Sequence, residues 1–201
     1  MTKPLVIQLL GFARAGKDWT AYQLKTYFES QGKSVEIMSY AAPMKRIAAT
    51  LFGISLEQLD VAKNNPATYP IYCGEYGRDY LETDFRQFLQ RLGNDAIKPI
   101  FGDNVWAKLA KANIDKSTAD IIIIPDCRFT VELNEVGGTT VRIVNNSLPP
   151  PMNHPSELEL LNYVTHYSLD NTGHSLTSED IEIIAQRILN GKQFSFTTIT
   201  L

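Results

Sequence analysis

Two hydrophobic periods take turns along this chain. "PLVIQLLG" is an unbroken apolar run closed by Gly11, the pattern of a buried strand. Residues 16–31 then repeat with helical spacing: Ala21, Leu24, Tyr27 and Phe28 form one stripe, and Gly32 closes it. "SVEIMSY" (34–40) reads as a second strand. Pro43 sits in the first turn of a helix, "PMKRIAATLF". "TDFRQFLQRLG" gives another helix, with Thr83 as cap, Gly93 as stop, and Phe85, Phe88, Leu89 and Leu92 facing the core. A further helix covers 103–113 and carries Trp106.

"ADIIIIPD" is the clearest strand. Four consecutive isoleucines cannot alternate between core and water, so both faces are buried, as in a parallel sheet. A helix over 128–136, a strand in "GGTTVRIVN", a short helix in "SELELLNY" and a fifth strand in "VTHYSLDN" follow. The last helix is "TSEDIEIIAQRILNG", with Ile181, Ile184, Ala185 and Ile188 at helical spacing and Gly191 as its stop. Residues 53–82 carry neither period; their Tyr, Asn, Gly and Pro content marks an inserted, mobile segment. The tail "KQFSFTTITL" alternates weakly and can pair with its own sheet or with a second subunit, which leaves a homodimer open. Strand and helix in alternation predict an α/β fold, with a mostly parallel sheet covered on both faces.

Composition narrows the function classes. The 201 residues are 44% hydrophobic and 20% charged, enough for one globular domain with an insertion. A net charge of -3 argues against a general nucleic-acid binder. Cys73 and Cys127 form no metal-ligand spacing, and a reduced cytoplasm fits best. The first apolar run is too short for a membrane span, so no membrane partner is expected.

The chemistry begins at "GFARAGKDW". Gly11, Gly16 and Lys17 match G-x-x-x-x-G-K, directly after a buried strand and directly before an amphipathic helix. Glycines let the backbone turn so that its N–H groups surround a phosphate, and the helix N-terminus adds partial positive charge. Lys17 supplies a full charge for the β and γ phosphates. The plainer alternative is a glycine-rich turn. Arg14 can lie along the phosphates or be solvated at the loop tip. Asp18 stands where a Ser or Thr hydroxyl is usual: it can offer oxygen to a hard cation, or simply favour the helix dipole.

Asp126 follows "IIIIP" at a strand's carboxyl end, where ligands of open α/β sheets bind. It can orient magnesium or cap the next helix. Arg128 and Glu132 share a face if 128–136 is helical, as an ordinary ion pair or as an arginine steered toward phosphate. On the 83–93 helix, Arg86 and Arg91 point about 140° apart, so they do not grip one phosphate. Arg86 with Gln90 makes the better recognition pair, a guanidinium for a phosphate and an amide for a base or sugar.

Taken together, "GFARAGKD", "YAAPMKR", "DFRQFLQRLGND" with "NVW", "PDCRFTVELNEV" with "GGTTVRIV", and "NHPSELEL" resemble the phage-type deoxynucleoside monophosphate kinases of the P-loop NMP-kinase superfamily. The resemblance runs in order over most of residues 5–161. It implies a P-loop three-layer sandwich with a five-stranded sheet, a single kinase domain over 1–201, and a substrate-binding, lid-like insertion over 53–115. It implies transfer of the ATP γ-phosphoryl group to a dNMP, with Mg²⁺, in the cytoplasm of a host cell if phage-encoded. Gly11, Ala13, Arg14, Ala15, Gly16, Lys17, Asp18 and Trp19 would hold ATP. Lys17, Asp18, Arg86, Arg128 and Glu132 would serve catalysis, and Asp18 and Asp126 the metal. Tyr40, Lys45, Arg86, Gln90, Trp106 and Arg128 would face the monophosphate. His154, Ser156 and Glu157 match a further family motif. A kinase of another small acceptor, such as dephospho-CoA, and a non-catalytic nucleotide-binding regulator are the alternatives.

Overall fold

The computed structural model describes residues 3–64, 85–149 and 158–191. In chain order the elements are β1 (Leu5–Leu10), α1 (Lys17–Ser30), β2 (Val35–Ile37), α2 (Ala42–Phe52), α3 (Leu56–Asn64), α4 (Phe85–Arg91), α5 (Lys98–Phe101), α6 (Val105–Ile114), β3 (Ile121–Ile124), α7 (Thr130–Val136), β4 (Thr139–Val144), β5 (Tyr167–Asp170) and α8 (Ser178–Leu189). The chain divides into two compact units. One comprises Met1–Tyr40 with Ala107–Leu201, the other Ala41–Trp106.

The first unit holds a five-stranded sheet in the order β2-β3-β1-β4-β5, with every pairing parallel. Strand periodicity sorts its side chains. Ile7, Leu9, Ile121, Ile123, Val141 and Ile143 face one side and pack on Leu24 and Phe28 of α1 and Ile181 and Ile184 of α8. Val6, Leu10, Ile122 and Ile124 face the other side and pack on Ala107, Ala110 and Ile114 of α6 and Leu133 of α7. The four isoleucines of β3 are all buried, as their unbroken run requires. Burying each contributes roughly 1.5–3 kcal/mol relative to exposure.

Polar residues also enter this core, and one of them ties its strands together. Gln8 is fully buried on β1. Its Nε2 donates to the Gly137 carbonyl at 2.7 Å, and its Oε1 accepts from the Tyr40 hydroxyl at 2.7 Å and the Cys127 thiol at 3.1 Å. A buried amide left unpaired would be costly; this one is satisfied on both ends. It joins the chain after β2, the turn after β3 and the turn before β4.

The second unit is helical over its described residues. Its core is Ala48, Leu59, Ala62, Phe85 and Leu89. Phe52 stacks edge-on to both Phe85 and Phe88, at 5.1 and 5.0 Å.

Four expectations change. Part of the aperiodic 53–82 stretch is helical: α3 starts where Ser55 Oγ accepts the Gln58 N–H and Gln58 Oε1 accepts the Ser55 N–H. That reciprocal cap is written in the sequence as S-x-x-Q. Gly93 does not stop its helix. The chain continues through a π-helical turn, Leu92–Ile97, into α5. A side chain at Gly93 would press on Met44 Sδ and approach the Trp106 indole. The 128–136 helix begins at Thr130, leaving Arg128 in the preceding turn. In "SELELLNY", Leu158 is helical and residues 159–162 form turns, and Arg142 pins this stretch, its Nη2 donating to the Leu160 and Tyr163 carbonyls at 2.7 Å each. Thr83, Cys73, the His154, Ser156 and Glu157 motif and the tail lie outside the described residues.

Candidate functional site

Strand order reverses at β1: β2 and β3 lie on one side of it, β4 and β5 on the other. In parallel sheets such a switch point opens a crevice at the strands' carboxyl ends. Residues 11–16 leave β1 at that end and lead into α1.

Three positive φ angles shape the loop: Gly11 at 146°, Arg14 at 65° and Gly16 at 104°. A Cβ on Gly11 would collide with the Ile143 carbonyl of β4, and one on Gly16 with the Asn171 amide after β5. Both positions therefore need glycine for conformation and for space. The Ala15 N–H bonds back to the Phe12 carbonyl at 3.2 Å, closing the turn. Helix α1 starts without a side-chain cap, so its first N–H groups and their dipole are directed at the loop.

Lys17 is buried, and its ammonium donates to the Gly11 and Phe12 carbonyls at 2.7 and 2.8 Å. The charge thus folds back over the loop. Asp18, Trp19, Ala13 and Arg14 are exposed, while Ala15 is buried.

Asp126 lies two residues beyond β3. Its Oδ2 accepts from Ser39 Oγ at 2.6 Å and its Oδ1 from the Tyr40 N–H at 3.0 Å. Two donors from the chain after β2 thus orient the carboxylate. Glu132 is buried, and its Oε2 accepts the N–H groups of Arg128 and Phe129 at 2.7 and 3.0 Å. Glu132 therefore caps α7 and shapes the turn that carries Arg128. The shared helical face expected for this pair is replaced by that cap.

Lys17, Asp126 and Glu132 converge electrostatically on Cys127. Burial, the largest cause, pushes its thiol well above the ordinary range; Glu132 and Asp126 push it further, and Lys17 opposes them. Burial likewise raises Tyr40, with smaller contributions from Cys127, Glu132 and Asp126. The Tyr40 hydroxyl donates to Gln8 and lies 3.2 Å from the Glu132 carbonyl, so this phenol is a buried support for the strand ends.

The other residues that the sequence singles out lie in the second unit. Lys45 donates to Asp60 Oδ1 at 2.7 Å, an ion pair the sequence reading did not anticipate. Arg86 and Gln90 are half-buried on α4, one turn apart beside the buried Phe85 and Leu89. Trp106 is buried, its indole near Gly93.

Sequence reasoning missed Asn171. It is buried at the carboxyl end of β5, and its Nδ2 donates to the Ala15 carbonyl at 2.8 Å. The signal was there: "DNTG" follows a strand, as Asp126 does. A cavity of about 380 Å³ opens elsewhere, lined by Leu5, Thr139, Tyr167 and Ile188. Those three strand residues are the amino ends of β1, β4 and β5, opposite the glycine loop, so the cavity is not the loop's crevice.

No family model and no curated protein sequence matches the chain. Among solved structures, it is similar to the crystal structure of APE1195, at 13% identity and a TM-score of 0.43 over 95% of this chain and 98% of that one. It is also similar to an unliganded sugar kinase from Janibacter sp. HTCC2649, at 13% identity and a TM-score of 0.43 over 94% and 96%. Similarity at that level carries no argument about activity, which rests on the chain's own residues.

Proposed function

We propose that the chain is an ATP-dependent kinase that transfers the γ-phosphoryl group to a deoxynucleoside monophosphate, giving the dNDP and ADP. The observation that carries the reading is the loop from β1 to α1. Two obligatory glycines, an uncapped helix N-terminus and a buried lysine meet at the sheet's switch point. That combination suits a triphosphate: backbone N–H groups to surround it and one mobile charge to neutralise it.

Phosphoryl transfer needs positioning and charge stabilisation more than covalent chemistry. Lys17 would leave its carbonyl partners for the β and γ phosphates. Arg128, set by the Glu132 cap, would stabilise the transferring group. Mg²⁺ takes one or two carboxylates plus phosphate oxygens rather than an all-protein cage. The donors here match that demand. Asp126 is a carboxylate oriented by Ser39 and Tyr40, and Asp18 is exposed at the loop. Those two would hold the ion, which would neutralise charge on the phosphates. Arg86 and Gln90 would recognise the monophosphate acceptor; they lie half-buried one turn apart on α4, which supports that assignment.

The resemblance in motif order supports deoxynucleotides over other acceptors. The test is incubation with ATP, Mg²⁺ and each dNMP in turn, followed by nucleotide separation. Formation of ADP and dNDP is the expected result; no dNDP from any dNMP would overturn the substrate assignment.

A further inference from the structure

We propose that Asn171 is a positioning residue that holds the glycine loop in its triphosphate-binding shape before any ligand arrives. This rests on reading residues 11–17 as a triphosphate site. Asn171 belongs to no motif considered above, and it is 156 residues from the loop in sequence.

Its side chain is a two-ended brace. Nδ2 donates to the Ala15 carbonyl at 2.8 Å, and Oδ1 accepts the Leu176 N–H at 3.2 Å. Only one orientation of the amide satisfies both, since a flip would set two N–H groups face to face. The brace is fixed to the sheet, because the Asn171 N–H donates to the Val144 carbonyl of β4 at 2.6 Å. The same amide nitrogen occupies the space into which a Gly16 side chain would point. Asn171 therefore holds the Ala15 carbonyl and bounds Gly16 from the same side.

The consequence is directional. Ala15 and Gly16 are the last residues before α1, whose N-terminus carries no side-chain cap. A carbonyl turned inward at Ala15 faces its peptide's N–H, that of Gly16, the other way. Holding it there lets the loop bind without first reorganising, which strengthens binding by lowering its ordering cost.

Asn171→Asp tests this. It keeps an acceptor for Leu176 but sets oxygen against the Ala15 carbonyl. Two probes are used on the full chain, ATP and inorganic tripolyphosphate, with amide hydrogen exchange over residues 11–17 as a readout independent of activity. The expected result is that both probes bind roughly tenfold more weakly or worse. Exchange in the loop should rise while exchange in β1 and β4 stays at the wild-type level. In turnover, KM for ATP should rise more than KM for the acceptor. Asn171→Ala, which adds no charge, should behave alike and decides the matter if the Asp variant does not fold. Wild-type affinity for tripolyphosphate in a folded variant overturns the proposal, as does a loss confined to ATP, which would mark a base contact instead. A wild-type chain that binds neither probe overturns the triphosphate reading itself.

Discussion

The Lys17 ammonium donates at 2.7 Å to the carbonyl of Gly11, the residue at which β1 gives way to the loop. A buried cation on a flexible stem thus rests on the backbone it would leave on binding phosphate. Lys17→Met should keep the fold, because a linear apolar stem fills the same space. It should lower kcat by about 10²-fold or more, the usual scale for losing one charge-stabilising donor. Steady-state kinetics beside a thermal melt separates the two effects.

Arg128 sits in the turn that Glu132 caps. Arg128→Ala should lose roughly 10³ to 10⁵ in kcat, the range for an arginine that stabilises a transferring phosphoryl group. ATP affinity should change modestly. Near-normal turnover would remove Arg128 from the mechanism.

Gly16→Ala should cripple ATP binding. The substitution forces an L side chain to a φ of 104° and drives its Cβ into the Asn171 amide. Isothermal titration with ATP reads the loss, and an affinity equal to wild type would contradict the loop geometry.

Tyr40 is expected to matter for stability rather than for substrate. Tyr40→Phe removes the hydroxyl from Gln8 Oε1 and leaves the Cys127 thiol as its partner. The loss should be about 1 kcal/mol, lowering Tm by roughly 2–4 °C. KM for both substrates should be unchanged. A raised KM for the dNMP with an unchanged Tm would return Tyr40 to the monophosphate site.

Acid stability has an identifiable contributor. Asp120 accepts from the Ser34 N–H and hydroxyl at 2.9 Å each, which holds its carboxyl below the ordinary range. A lowered folded-state pKa contributes stability that is fully present above the unfolded value of about 4 and is lost as pH falls through the folded value. Asp120→Asn should therefore melt lower than wild type at neutral pH and approach it below about pH 4. Tm measured against pH checks the convergence.

The sheet was legible because its strands are short apolar runs bounded by glycine and proline, and because an isoleucine run like that of β3 leaves no polar face. The glycine loop was legible because spacing and context agreed at Gly11, Gly16 and Lys17. What escaped was contact between distant residues. Gln8 looks like an interruption in β1 until its partners Gly137, Tyr40 and Cys127 are in place. Asn171 is readable from "DNTG" as a residue at a strand end, but its bond to Ala15, 156 residues away, is not. The helix at Ser55 was readable from its capping box but hidden by the aperiodic residues after it. Gly93 misled for the opposite reason: it reads as a stop, yet the chain continues there in a π-helical turn, with Met44 and Trp106 close to the space a side chain would fill.

Transfer to a nucleotide acceptor is read from the fate of γ-labelled ATP. With Mg²⁺ and a dNMP panel, label should appear in a dNDP at a rate far above its release as inorganic phosphate, and Lys17→Met should abolish the dNDP signal. Label found only in inorganic phosphate would rule out a nucleotide acceptor, and dNDP formed equally by wild type and Lys17→Met would remove the glycine loop from the reaction.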